Sequence, residues 1–259
     1  MKNRILISYK SMPKQAKASF WFVVCSMIQK GIAFISTPIF TRVMTANEYG
    51  IVSIYNSWQS ILTMMLTLQL ASGVFNKSMI TYKKERDKYT SSMLCLTSII
   101  IVCGYAIYYP LRKYFNALTG MDNLLMSAMF IDIFFTEAMS FWTIRHKFEY
   151  EYKSVMGYTL LSTVASMFCS VFAVVAFPGH RIFARIGGTL IIHIIIYSYL
   201  YIKIINKGRK LIWFSAWRYA LRYNLPLIPH YMSQQILNQA DRMMINKMCG
   251  SSDTAMYTV

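Results

Sequence analysis

Seven runs of roughly twenty predominantly apolar residues punctuate this chain, and a run of that length is what a helix needs to cross about 30 Å of hydrocarbon. They fall at residues 18–41, 50–75, 91–111, 123–144, 155–177, 186–202 and 223–245, and the second, third and fifth hold no Asp, Glu, Lys or Arg. Continuous apolarity favours helices over barrel strands, which would alternate over about ten residues. Charged residues make up only 14% of the chain, against about 25% in a soluble domain. The expected fold class is all-α, a polytopic membrane helix bundle.

Against 10 Asp and Glu stand 27 Lys and Arg, a net charge of +17. Such a balance first suggests nucleic acid, but the basic residues sit in short clusters between apolar runs. Membrane lipids, not nucleic acid, are therefore the expected contact. The N-terminal arm and the stretches 77–88, 145–153 and 203–222 hold 19 basic residues, the alternate connections hold 7, and Lys30 lies inside the first span. The positive-inside rule then places the N-terminus and the richer set in the cytoplasm, in a multi-pass protein. The expected organisation is a cytoplasmic basic arm (1–17), a six-helix bundle (18–202), a cytoplasmic or interfacial connection (203–222) and the start of a second bundle (223–259). In the connection, Lys210, Trp213, Trp217, Arg218 and Arg222 are spaced as on an interfacial helix. An ordinary anchored loop fits equally well.

An ionisable residue inside hydrocarbon costs about 2.5 to 3.5 kcal/mol or more, so it faces protein or water. Lys30 shares one face of the first span with Ser26, Ala33, Thr37 and Thr41. On the seventh span His230, Gln234, Asn238 and Asp241 recur at steps of four, four and three, with Arg242 beside them and Pro226 and Pro229 loosening the start. Asp132 and Glu137 on the fourth span point in different directions, and His193 sits near the middle of the sixth. Two readings stay open. In one, these groups pair helices, as Lys30 with Asp132 or Glu137. In the other, Lys30, His230, Gln234, Asn238, Asp241 and Arg242 line a hydrophilic cavity for an anionic substrate, while Asp132, Glu137 or His193 couples to an ion. Five scattered cysteines form no metal-ligand pattern, and no nucleophile elbow, phosphate loop or zinc-protease signature occurs. No enzyme chemistry, metal or cofactor is expected.

The segment Arg42-Val-Met-Thr-Ala-Asn-Glu48-Tyr-Gly50-Ile-Val-Ser53 is echoed 205 residues later by Lys247-Met-Cys-Gly-Ser-Ser-Asp253-Thr-Ala255-Met-Tyr-Thr258, basic on basic and acidic on acidic. Each follows a polar-striped span, the pattern of a six-helix repeat whose second copy begins at the seventh span. At Ile39-Phe-Thr-Arg42-Val-Met-Thr-Ala-Asn-Glu48-Tyr-Gly50, Tyr223-Asn-Leu-Pro226-Leu-Ile-Pro229 and Asp241-Arg242-Met-Met-Ile-Asn-Lys247 the chain resembles the Wzx polysaccharide flippases of the multidrug/oligosaccharidyl-lipid/polysaccharide exporter (MATE-like) superfamily. The resemblance implies one six-helix half plus the first helix of a second, with most of that second half missing, as in a fragment or a split gene. It implies undecaprenyl-pyrophosphate-linked oligosaccharide as cargo for O-antigen, capsule or exopolysaccharide synthesis in the bacterial cytoplasmic membrane. Other polysaccharide-assembly proteins, or the missing half, are the implied partners. A drug or cation exporter, a lipid II flippase and, further off, a membrane glycosyltransferase or polymerase are the alternatives.

Overall fold

The computed structural model describes residues 12–258, and every regular element among them is a helix. Lys2, Arg4 and Lys10 of the basic arm, and Val259, lie outside the described residues. In chain order the helices are α1 (Lys14–Val43), α2 (Ala46–Thr67), α3 (Gly73–Thr81), α4 (Arg86–Tyr108), α5 (Arg112–Thr119), α6 (Asn123–Phe148), α7 (Tyr152–Ala176), α8 (Arg181–Gly208), α9 (Phe214–Asn224), α10 (Ile228–Met248) and α11 (Ser251–Thr258). A 3-10 turn at Leu225–Leu227, which contains Pro226, joins α9 to α10.

Seven of these helices match the seven apolar runs, and the shortest, α10, has 21 residues, about 30 Å at 1.5 Å per residue. Five of them, α1, α4, α6, α7 and α8, are long and apolar enough to cross a membrane. The other two are more polar than expected. The run at 50–75 does not continue as one helix: Leu68 and Gln69 both take left-handed backbone angles (φ 50° and 51°), and α3 starts afresh at Gly73. At its other end α2 is started by Thr45, whose hydroxyl accepts from the Glu48 amide while the Glu48 carboxylate accepts from the Thr45 amide. That reciprocal cap satisfies two otherwise orphaned donors.

A residue far along the chain holds the break after α2. Asn224 is 1% exposed; its Nδ2 donates to the Leu68 and Gln69 carbonyls at 3.0 Å each, and its Oδ1 accepts from the Val74 amide at 3.2 Å. Asn224→Ala is expected to strand three backbone groups and cost about 3 kcal/mol, read as a lowered thermal unfolding midpoint; an unchanged midpoint would show that the break is held by something else. The connection is thus a helix, not a loop. It buries Ala216 and Ala220, anchors Trp217 Nε1 on Ser92 (2.8 Å to Oγ), and turns Phe214, Arg218 and Arg222 outward.

The basic connections meet at one end of the bundle. Arg145 bridges Asp87 at 3.0 Å and Glu149 at 2.6 Å, Lys207 reaches Asp87 at 3.3 Å, and Arg86 reaches Glu149 at 3.5 Å. Burial would raise the Glu149 carboxyl, but the Arg145 hydrogen bond and the charges of Arg145, Arg86 and Lys207 outweigh it and hold it below the usual glutamate range. A depressed carboxylate adds stability that is complete above its unfolded value, about 4.3, and is lost as pH falls through the folded value. Acidification below about pH 4 is therefore expected to destabilise the native chain more than Glu149→Gln, measured by thermal midpoint against pH.

Two apolar cores stack along the helices. One, at the basic end, centres on Phe75, Tyr89, Phe141, Trp142 and Leu200. The other, at the far end, centres on Phe40, Tyr55, Met126, Phe130 and Ile186. Large apolar side chains also point outward, Phe34, Phe168, Phe172 and Ile195 among them, as lipid-facing surfaces require. The protein is a multi-pass helical membrane bundle.

Candidate functional site

Between the two cores lies a polar layer drawn from three helices. Asp132 of α6, 8% exposed, faces His193 of α8 with Oδ1 to Nδ1 at 2.6 Å and accepts a short hydrogen bond from Gln59 Nε2 of α2. A cavity of about 50 Å³ adjoins it, lined in part by Asn56, Arg185 and Thr189. Three helices thus share one buried carboxylate. Glu137 is not part of the cluster: five residues along α6 turn it away, and its buried Oε2 has no hydrogen-bond partner.

Lys30 is exposed on α1 and forms no ion pair with Asp132 or Glu137. The hydroxyls of its stripe bond back to their own helix, Ser26 to the Phe22 carbonyl and Thr37 to the Ala33 carbonyl. On α10 no residue is buried. His230, Gln234, Asn238 and Asp241 all stand exposed on one face, Arg242 is half-buried, and Asp241 accepts from the Tyr257 hydroxyl at 3.0 Å. The structure therefore unites Asp132 with His193, keeps Glu137 apart, and leaves Lys30 and the α10 face as open polar surfaces. α10 packs on α2, whereas α1 packs mainly on α7 and only touches α2.

Sequence reasoning missed a second polar region. At the basic end α1, α6, α7 and α8 border an open hollow of about 380 Å³ whose walls carry Gln29, Ser140, Thr143, Thr159, Ser162 and Thr163. It shares Ile144 and Lys147 with a vestibule of about 690 Å³ that also holds Asn76, Arg86 and Glu149. The signal was present as Thr159, Ser162, Thr163, Ser166 and Ser170, a hydroxyl face at helical spacing. It passes unnoticed because none of those residues is ionisable.

A sequence model described as polysaccharide biosynthesis protein matches residues 16–259. The chain belongs to that family of Wzx-type, MATE-like flippases. Neither a curated protein nor a solved structure matches the chain. Proteins of this family are of the flippase or exporter kind.

Proposed function

We propose that this polysaccharide biosynthesis protein translocates lipid-linked oligosaccharide repeat units across the bacterial cytoplasmic membrane, with its N-terminus in the cytoplasm and Lys30 meeting the pyrophosphate. The observation that carries this reading is that Lys30, His230, Gln234 and Asn238 stand exposed on helices of a membrane protein, on faces that hydrocarbon would not tolerate. They call for a water-filled cleft flanking α2. The second bundle begins at α10: Ser53 of α2 and Thr258 of α11, 205 residues apart, bond hydroxyl to hydroxyl at 3.0 Å, as equivalent residues do beside a two-fold axis. Asp132 and His193 form the ion-coupling pair. A lysine recognises phosphate as a point charge, so Lys30→Ala is expected to cut export by about tenfold or more. The measurement is surface polysaccharide in a strain lacking its own flippase and carrying this protein. Wild-type chain that inserts but restores no polysaccharide would sink the reading, and restored resistance to cationic drugs instead would favour a drug exporter.

A further inference from the structure

The hollow at the basic end has a chemistry that packing alone does not explain. Serine and threonine often bond back to their own helix in membrane bundles, and Ser26, Ser140, Ser162 and Thr163 do so here. Such hydroxyls normally pack tightly, yet these surround a space of about 380 Å³, within the range of about 300–1,000 Å³ that ligand sites occupy. Having spent their protons on the backbone, Ser26, Ser140 and Ser162 offer lone pairs to a ligand that donates. The wall is also braced across helices, because Gln29 Nε2 of α1 donates to Thr163 Oγ1 of α7 at 3.3 Å.

Charge narrows the choice of ligand. Among the described residues no carboxylate lines the hollow, so a cation finds no counter-charge there, and the single ionised side chain in its wall is Lys147. Its ammonium lies 5.5 Å from the centre of the Phe22 ring, which also lines the hollow, and opens on the vestibule that holds Arg86. An apolar ligand would strand the hydroxyls. A ligand with several hydroxyls and one anionic end satisfies every wall.

We propose that this hollow is a binding site for a phosphorylated sugar, with the phosphate on Lys147 and the sugar ring among the hydroxyls of α6 and α7. The proposal rests on the flippase reading for its biological role and deepens it: the sugar-phosphate end of the cargo docks inside this bundle at a stage distinct from the one at which its pyrophosphate meets Lys30. Tyr197 lines the hollow and stacks on His193 with ring centres 4.8 Å apart.

The test is titration calorimetry of the full chain in zwitterionic nanodiscs with glucose 1-phosphate, glucose and inorganic phosphate. Glucose 1-phosphate is expected to bind more tightly than either fragment. Lys147→Gln, at an exposed position, should weaken it about tenfold or more while leaving glucose unchanged. Ser140→Ala, which removes a hydroxyl of the wall, should weaken both sugar probes and spare phosphate. Equal affinity of wild type for phosphate and glucose 1-phosphate, or undiminished binding by both variants, overturns the site. If both variants bind normally while Lys30→Ala still abolishes export, the flippase reading stands and this site falls. If the variants lose binding in a chain that restores no export, the site stands and the flippase reading falls.

Discussion

A chain carrying Gly188→Val is expected to lose about 3 kcal/mol or more and to reach the membrane largely misassembled. The reason is backbone, not side chain. A Cβ at Gly188 would sit 2.7 Å from Ser170 Cα and 2.9 Å from Ser170 N on the facing α7, and no rotamer change relieves a clash with main-chain atoms. The approach is itself hydrogen-bonded, because Ser170 Oγ donates to the Arg185 carbonyl at 3.2 Å and lies 2.9 Å from Thr189 Oγ1. Prying α7 from α8 would break those bonds as well as the overpacking cost of about 1–3 kcal/mol. Small residues at close crossings are a general means of holding membrane helices together. Gly187 supplies the control, since a Cβ there meets nothing within 4 Å. Thermal unfolding in detergent should separate the two, and equal midpoints for Gly187→Val and Gly188→Val would refute the close-packing account.

Removing His193 should have the next largest effect. With leucine at 193, Asp132 keeps only its bond from Gln59 in a site 8% exposed. Breaking one side of a buried pair costs about 3–5 kcal/mol, whereas replacing both partners by apolar groups can be close to neutral. His193→Leu is therefore expected to lower stability by about 3 kcal/mol, and the double variant with Asp132→Leu to recover much of it. Both variants should fail to export, because the proposed coupling pair is gone in each. A double variant whose loss equals the sum of the two single losses would mean that the residues do not act as a pair.

How much of this was legible in the sequence differs by residue. Apolar run length placed all seven long helices, and the Thr45–Glu48 cap and the left-handed Gly120 after α5 are local chemistry that a reader of the chain can see. The single polar face of α10 was also readable, because one helix fixes the relative directions of His230, Gln234, Asn238 and Asp241. The interruption after α2 was not, since Leu68 and Gln69 are poor markers of a left-handed turn and the residue that holds them is Asn224, 156 and 155 positions away. The pairing of Lys30 with a carboxylate, one of two readings left open, does not form.

What the chain determined by itself is its class and the positions of its long helices, five of which are long and apolar enough to cross a membrane. In hydrocarbon every backbone donor and acceptor must be satisfied within its own segment, so length and apolarity are enough to specify a helix. Which helices touch, and through which side chains, only the tertiary structure decided. Asp132 meets His193 across 61 residues and Gln59 across 73, and the hydroxyl hollow draws its walls from four helices. Such meetings depend on how closely α7 and α8 approach at Gly188 and on how α9 folds back onto the end of α2. Crossing geometry is a property of pairs of surfaces, and no single segment of the chain contains it.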